Sequence, residues 1–261
     1  MDYSVNSRVA AIEPSVIRAL AARKKPSSID LGLGEPSLMP TARYLEAAAR
    51  WIAQNGCRYT PSAGDPELRE RIAAHYGYPG MAGGDNVLVT AAGSQAAVYV
   101  AIKALLEPGR DELLVVEPAY PVYAKAATLE GIDVRRAEMR ADDGFAFDPE
   151  RILDEVREGT RAIVICSPCN PTARAISRAA VERLARTLGA RGGTPVYVIH
   201  DEVYRELTYV RDAGRFAEFY PHTISVNSLS KSNALTGMRL GWAIGPKTAI
   251  AAMTKAHGWI A

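Results

Sequence analysis

The sequence has too few cysteines for a disulfide framework. Its 261 residues include Cys57, Cys166 and Cys169, an odd and small number. The last two have C-x-x-C spacing, but a zinc site would need a second pair of ligands, and none of the four histidines has H-x-x-x-H spacing. A thioredoxin-like redox pair is disfavoured, because the two cysteines enter a proline-flanked loop instead of opening a helix. We interpret them as small, partly buried thiols and predict no metal site.

An excess of charge of either sign is also missing. The 31 basic side chains nearly balance the 29 acidic ones, the net charge is +2, and no block of five basic residues occurs. This balance argues against nucleic acid or a membrane surface as a partner. No apolar run is long enough to span a bilayer, and the N-terminus lacks the charged-then-apolar pattern of a signal peptide. The predicted location is the cytoplasm.

The sequence is rich in short apolar runs. Apolar residues make up 48% and charged residues 23%, which fits a globular protein with a sizeable core. The strand-like runs contain much Val and Ile and are separated by helical stretches; they are NVLVT (86–90), ELLVVE (112–117), IDVRRAEM (132–139), RAIVICSP (161–168), PVYVIHDEV (195–203), TISVNSL (223–229) and RLGWAIG (239–245). This pattern predicts an α/β fold, a three-layer α/β/α arrangement with a mostly parallel seven-stranded sheet.

Two helix starts use the same sequence device. Residues 65–67 and 148–150 both read Asp-Pro-Glu, which offers a capping carboxylate, a proline at the first helical position and an acid in the first turn. The helix predicted from Ser94 is nearly apolar all round, so it should be buried. The first forty residues are typical of an arm and a loop.

Ligands of open parallel sheets bind at the carboxyl ends of the strands, so residues that follow strands are the candidates. Gly93 and Ser94 open a helix and offer free N–H groups to an anion, although Ser is equally common as an ordinary cap. Asp201 ends an apolar strand and needs a cation or a strong donor. Lys231 follows another strand; a lysine in a cleft has a lowered pKa and can form a Schiff base. Arg239 is a natural bidentate partner for a phosphate.

Three further strand-end residues give weaker signals. Tyr120 would stack on a planar ring, but most such tyrosines merely pack. Asn170 would donate to a ligand oxygen, although Asn-Pro is also a turn signal. Tyr204 lies three residues after Asp201 and would point the same way. A metal site at residues 200–202 is the competing interpretation, but adjacent side chains alternate between the two sides of a strand and would not converge on a metal. Together these residues fit a planar ligand with a phosphate, a carbonyl, a cationic ring nitrogen and a ring oxygen, and pyridoxal phosphate has those parts.

With these residues identified, the sequence resembles the class I/II aminotransferases, which are fold-type-I pyridoxal-phosphate enzymes. The matching motifs occur in the family's order and are YTPSAGDPELRERIA (59–73), AAGSQAAV (91–98), EPAYPVY (117–123), SPCNPTA (167–173), HDEVY (200–204) and SLSKSNALTGMRLGW (228–242). The last motif is the most specific. The resemblance implies a substrate-side arm and loop over residues 1–40, a pyridoxal-phosphate-binding large domain over residues 41–261, and pyridoxal 5'-phosphate as the cofactor.

Carried over residue by residue, the resemblance implies a set of chemical roles around the cofactor ring. Lys231 would form a Schiff base with the cofactor and later move the proton between the substrate α-carbon and the cofactor. Asp201 would pair with the pyridinium nitrogen. Tyr204 and Asn170 would hydrogen-bond the ring oxygen, and Tyr120 would stack on the ring.

The resemblance also implies how the phosphate is held. The residues that would hold it within the chain are Gly93, Ser94, Ser228 and Arg239. Tyr59 would reach the phosphate of a neighbouring subunit, which implies a homodimer with shared active sites. Gly34 matches the glycine of the N-terminal loop that closes over substrate.

Two departures from the family pattern stand out. The family usually reads Asn-Pro-Thr-Gly, whereas Ala173 replaces the glycine here. A residue with a Cβ atom there requires an ordinary backbone conformation or some strain, and we expect a small effect. Family members also continue past the end of this sequence into a small C-terminal domain, whose arginine binds the substrate α-carboxylate. We therefore expect that domain to be absent from this chain, assign no residue to the carboxylate, and expect the chain by itself to be inactive or barely active.

The resemblance predicts an aminotransferase that exchanges an amino group between an amino acid and a 2-oxo acid. A β- or γ-lyase or a synthase is the alternative, because those reactions also begin with loss of the α-proton and use the same residues. A transcription regulator that fuses a DNA-binding domain to this fold is disfavoured, since the sequence has no room for such a domain upstream and its charge is nearly neutral.

Overall fold

One sheet organises the chain. The computed structural model describes residues 4–261. Within these residues the helices are α1 Ser7–Ala10, α2 Val16–Ala21, α3 Ala42–Asn55, α4 Pro66–Tyr76, α5 Ser94–Leu105, α6 Val122–Glu130, α7 Pro149–Glu155, α8 Arg178–Ala190 and α9 Lys247–His257. The strands are β1 Val87–Ala91, β2 Glu112–Glu117, β3 Asp133–Glu138, β4 Thr160–Cys166, β5 Tyr197–Asp201, β6 Thr223–Ser228 and β7 Leu240–Ile244.

The strands of the described residues form a seven-stranded sheet in the order β1-β7-β6-β5-β4-β2-β3. Strands β3, β2, β4, β5 and β6 run parallel to one another. Strand β7 is antiparallel to both of its neighbours, with Ala91 opposite Leu240 and Ser228 opposite Gly241. The predicted mostly parallel, seven-stranded sheet is therefore confirmed, and each strand-like run of the sequence overlaps one strand.

Side-chain alternation along the strands divides the core between the two faces of the sheet. Leu113 and Val164 belong to an apolar cluster with α5, α6 and α9, whereas Leu114 and Ile163 belong to a cluster with α7 and α8. A third cluster packs α4 against β1 and β7. Full burial of each such side chain stabilises the fold by about 1.5–3 kcal/mol. Helices thus cover both faces, which confirms the three-layer α/β/α arrangement.

Helix α5 is the central helix of one face. Its buried residues are Ala97, Val98, Val100, Ala101 and Ile102. It packs against α6 and α9 as well as against strands of the sheet. The apolar composition of this segment therefore correctly predicts a buried helix.

Both Asp-Pro-Glu sequences begin helices as predicted. The side chain of Asp65 accepts a hydrogen bond from the backbone N–H of Leu68 at 2.9 Å at the start of α4. Asp148 accepts from the N–H of Glu150 at 3.0 Å at the start of α7. Each proline occupies a first-turn position, where the missing N–H leaves no helical hydrogen bond unmade.

The segment before α4 is mostly exposed. The apolar stripe of α3 has no buried residue, and its large side chains, each 45–55% exposed, are Tyr44, Leu45, Trp51 and Ile52. None of the helices in residues 4–261 is long and apolar enough to cross a membrane. The large apolar side chains of α3 thus form an exposed surface in this structure.

Candidate active site

Strand direction brings the predicted site residues to one edge of the sheet. Strand β5 ends at Asp201, beside the end of β4 at Cys166. Lys231 follows the end of β6, which runs parallel to both. Arg239 directly precedes the first residue of β7. Because β7 is antiparallel to its neighbours, its start lies at this same edge, beside the end of β1 at Ala91.

Lys231 is half-buried and reaches the N-terminal loop. Its Nζ donates a hydrogen bond to the carbonyl oxygen of Gly34 at 2.9 Å. A Cβ atom built on Gly34 would lie 3.8 Å from Lys231 Nζ and 4.0 Å from the hydroxyl oxygen of Tyr204, so the amine and the phenol flank a common point. Burial lowers the pKa of Lys231, and the charge of Arg239 acts in the same direction. The nearby charge of Glu35 opposes this shift but does not outweigh the effect of burial.

Asp201 is a buried carboxylate with two hydrogen-bond donors. The Tyr123 hydroxyl donates to Oδ2 at 2.7 Å, and the backbone N–H of Val203 donates to Oδ1 at 3.2 Å. No lysine, arginine or histidine forms an ion pair with Asp201 among residues 4–261. The pKa of Asp201 is raised, because the effect of burial is larger than the opposite effect of these two hydrogen bonds. A cationic group on a ligand would stabilise the ionised form.

Tyr123 is the site residue that sequence reasoning missed. It lies in α6, is buried, and contacts Tyr120 edge to face with ring centroids 5.9 Å apart. It therefore both fixes the carboxylate of Asp201 and supports the ring of Tyr120. The available signal was the second tyrosine of the EPAYPVY motif, three residues after Tyr120 and at the start of a predicted helix.

Tyr204 and Asn170 meet above the strand ends. The Asn170 side-chain amide donates to the Tyr204 hydroxyl at 3.4 Å. Burial raises the pKa of Tyr204 to about 12, so the hydroxyl keeps its proton at neutral pH and remains a donor. The predicted pairing of these two residues thus brings an amide and a phenol to one place.

The start of α5 and the start of β7 form an anion cradle, defined here by Gly93, Ser94, Arg239 and Gly241. The guanidinium of Arg239 donates to the carbonyl oxygens of Ala92 and Thr236, at 2.8 and 2.9 Å. A Cβ on Gly93, where φ is +75°, would lie 3.3 Å from that guanidinium, and one on Gly241 would lie 2.3 Å from the carbonyl carbon of Gly93. Glycine at both positions allows this close approach.

Helix α5 begins with unused N–H groups. Its cap residue is Gly93, and no side chain within residues 4–261 caps the helix, so the interpretation of Ser94 as an ordinary cap is wrong. Ser228 is buried, and its hydroxyl accepts the backbone N–H of Ser230 at 3.2 Å. The free N–H groups and the positive end of the helix dipole favour an anion at this point.

Tyr59 is not brought into this group of residues. Its side chain is fully exposed, at 107% of the reference area. No hydrogen bond within residues 4–261 joins it to another predicted site residue. Its predicted contact with the phosphate of a neighbouring subunit stays a prediction.

Comparison with known proteins shows the family to which the chain belongs. The sequence model of the family described as aminotransferase class I and II matches residues 26–260. The chain belongs to the class I and II aminotransferase family. The family resemblance drawn from the motifs is therefore confirmed.

Individual aminotransferases match over nearly the whole chain. Aspartate aminotransferase of Pyrococcus horikoshii is 36% identical over 99% of this chain, and the aspartate/prephenate aminotransferase of Thermus thermophilus is 34% identical over 95% of it. The structure of aspartate aminotransferase from Thermus thermophilus with maleate has a TM-score of 0.89 at 32% identity, covering 99% of this chain and 69% of that one. The chain spans 66% of the length of each of the two curated relatives.

Ala173, the first of the two predicted departures from the family pattern, is in a strained conformation. Its φ is +58°, in the left-handed region. Hydrogen bonds from Ala173 N to Cys169 O and from Cys169 N to Arg174 O, both 2.8 Å, hold the loop in place. An L-residue pays about 1–2 kcal/mol for this conformation. The position thus requires strain, one of the two outcomes that the sequence allowed.

Replacing Ala173 with glycine is expected to stabilise the protein. The relief of strain exceeds the greater entropy of glycine in the unfolded chain, so the free energy of unfolding in urea should rise by about 1 kcal/mol. Ala49→Gly, at an exposed position inside α3, is the matched control and should lower the same quantity by about 1 kcal/mol. A decrease in the Ala173→Gly protein would contradict the strain assignment.

Proposed function

We propose that this site binds pyridoxal 5'-phosphate and that the protein exchanges an amino group between an amino acid and a 2-oxo acid. The observation that carries the proposal is the placement of Lys231. Its amine and the Tyr204 hydroxyl lie 3.8 and 4.0 Å from the point where a Cβ atom on Gly34 would be, at the edge of the sheet where Asp201 is buried without a cationic partner among the described residues. Membership of the aminotransferase family supports it.

The phosphate end of the cofactor fits the anion cradle. Gly93 and Gly241 have no Cβ atom, which lets the start of β7 and the Arg239 guanidinium lie against the start of α5, where no side chain of the described residues caps the N–H groups. Arg239 provides a full positive charge beside them. A dianionic phosphate matches this set of donors in charge and in hydrogen-bond demand.

The ring end of the cofactor fits the residues at the end of β5. Asp201 would hold the ring nitrogen in its protonated form, because an ion pair offsets the burial that otherwise raises the pKa of this carboxyl. Tyr204 and Asn170 would donate to the ring oxygen. Tyr120, supported edge to face by Tyr123, would stack on the ring.

When bound, pyridoxal phosphate supplies an electron sink for the substrate α-carbon. Lys231 has the lowered pKa and the position required of a base, so it would take up the α-proton and return it. Asp201 and Tyr123 would keep the sink effective by holding a proton on the ring nitrogen. Gly34, whose carbonyl accepts from Lys231, places the N-terminal loop over the reacting amine, where it would limit access of water.

A half-reaction distinguishes amino transfer from lyase or synthase chemistry on the same cofactor. The purified protein, loaded with pyridoxal phosphate, is mixed with single amino acids in the absence of an oxo acid. Slow conversion of bound cofactor to pyridoxamine phosphate, with one equivalent of the matching 2-oxo acid, is expected, because no residue of this chain is assigned to the substrate carboxylate. Pyruvate and ammonia from a β-substituted donor, with no pyridoxamine phosphate, would instead show a lyase.

A homodimer with shared sites is part of the same proposal. The apolar stripe of α3 and the fully exposed Tyr59 lie in adjacent segments and would be covered together by a second copy. Sedimentation should show a dimer, and a monomer with full cofactor affinity would contradict the role of Tyr59. A cytoplasmic location, where thiols stay reduced, would suit three cysteines that are all free.

A further inference from the structure

The end of β5 has a second buried face that the proposed function does not use. Glu202 follows Asp201 and is 1% exposed. Its carboxylate accepts from the hydroxyl of Tyr78 at 2.8 Å to each oxygen and from the hydroxyl of Ser225 at 2.7 Å. Its backbone N–H donates to Val226 O at 2.8 Å. Glu202 therefore anchors the end of β5 from the side opposite to the candidate site.

Arg205 extends this network to the residue next to Tyr204. Its guanidinium donates to the Tyr78 hydroxyl at 2.7 Å and lies 3.5 Å from an oxygen of Glu202. The same group stacks over the rings of Tyr76 and Tyr78, at 4.5 and 5.6 Å from their centroids. The Tyr78 hydroxyl thus accepts from arginine and donates to glutamate, which makes each of the two bonds stronger than a neutral one.

The network encloses the turn that carries Tyr204. The backbone N–H of Arg205 donates to Glu202 O at 2.8 Å, so residues 202–205 form one turn. Tyr204 itself has a single side-chain hydrogen bond among the described residues, the 3.4 Å contact with Asn170. The direction of its side chain is therefore set mainly by the backbone of the turn.

We propose that Tyr78 and Arg205 are positioning residues that hold the 202–205 turn and thereby fix where Tyr204 presents its hydroxyl to the cofactor. The inference rests on the proposed function, since it assigns a purpose to a tyrosine of that site. Tyr78 follows α4, so the contact also joins the end of that helix to the end of β5. Tyr78 and Arg205 contact Glu202 on the side of the β5 end opposite to the candidate site, so they would influence the cofactor only through Tyr204.

The test compares variants by the pH titration of the visible absorbance band of bound pyridoxal phosphate. Tyr78→Phe removes one hydroxyl, and Arg205→Met removes the guanidinium but keeps an apolar stem. We expect each variant to shift the midpoint of this titration by an amount that corresponds to at least about a threefold change in the protonation constant of the bound cofactor. The reason is that a displaced Tyr204 hydroxyl donates less well to the ring oxygen. Ser225→Ala is the matched control: it removes a donor to the same carboxylate but keeps the Tyr78–Arg205 contact, and should leave the midpoint unchanged.

A double-mutant comparison separates positioning from general destabilisation. If Tyr78 acts through Tyr204, the change caused by Tyr78→Phe should disappear in a Tyr204→Phe background. An equal change in that background would overturn the proposal. An unchanged titration midpoint in both Tyr78→Phe and Arg205→Met would also overturn it. The same holds if the midpoint in Ser225→Ala shifts as far as it does in those two variants.

The cofactor-free protein gives a second measurement that does not depend on the proposed function. The ¹³Cζ resonance of Tyr204 in labelled protein, assigned by its loss in Tyr204→Phe, should move in Arg205→Met and stay in place in Ser225→Ala. If the wild-type protein forms no visible band with pyridoxal phosphate, the proposed function is wrong, and this resonance still decides the positioning role. A Tyr204 resonance that does not move in Arg205→Met overturns the positioning role.

Discussion

Lys231→Ala is expected to abolish covalent attachment of pyridoxal phosphate to the protein. Borohydride treatment of the loaded wild-type protein should fix one cofactor on the chain, seen as a mass increase on a peptide that contains Lys231. The variant should show no such increase, because no other lysine is placed beside Tyr204 and Asp201 at the strand ends in the described part of the chain. Conversion to pyridoxamine phosphate should slow by at least about 10²–10⁴-fold, the usual contribution of a positioned acid–base group.

Lys247→Ala is the control for this experiment. Lys247 is the first residue of α9 and is exposed. Its amine lies 3.5 Å from a carboxylate oxygen of Asp85. Its removal should leave both the mass increase and the rate unchanged. A mass increase that persists in Lys231→Ala would show that another amine holds the cofactor, and the assignment of Lys231 would then be wrong.

The protein is expected to lose about 3 kcal/mol of stability in acid through Glu202. Burial would raise the pKa of Glu202, but His200, Arg205 and the Ser225 hydroxyl outweigh it and lower the pKa from 4.5 to about 2. A carboxyl whose pKa is lower in the folded state stabilises the protein above its unfolded pKa. That contribution is lost as the pH falls from about 4.5 through about 2, which amounts to about 3 kcal/mol.

Urea denaturation between pH 7 and pH 2 measures this effect as a difference between proteins. Glu202→Gln cannot titrate, so its free energy of unfolding should fall less steeply with acid than that of the wild type. Glu67→Gln is the control, since Glu67 is an exposed carboxylate paired with Arg71 on the surface of α4. An identical acid dependence in wild type and Glu202→Gln would contradict the assignment.

Much of the fold could be predicted because its signals are local. Apolar runs of Val and Ile mark the strands, and Asp65 and Asp148 mark two helix starts through a cap that forms within three residues. Where prediction and structure differ, the difference is at the boundaries. The run PVYVIHDEV continues to Val203, whereas β5 ends at Asp201, because the chain turns there around Glu202.

The candidate site could be predicted only in part. Lys231 and Asp201 were found because residues that follow parallel strands meet at one edge. Tyr123 meets Asp201 across 78 positions of sequence, and Tyr78 meets Glu202 across 124, so no spacing rule connects them. The replacement of glycine by alanine at position 173 is visible in the sequence, but the left-handed conformation that makes it strained is a property of the folded loop.

The position of β1 in the sheet sets the order in which the site can be assembled during synthesis. β1 lies at the edge of the sheet, and its neighbour there is β7, with Ala91 paired to Leu240. The strand made first therefore has no partner until β7 has been translated, since chains fold from the N-terminal side as they emerge. The Gly93–Arg239 contact closes only with that final pairing. A nascent chain consequently cannot complete the proposed phosphate site until β7 has paired with β1, and under the proposed function cofactor capture would be a late step of folding.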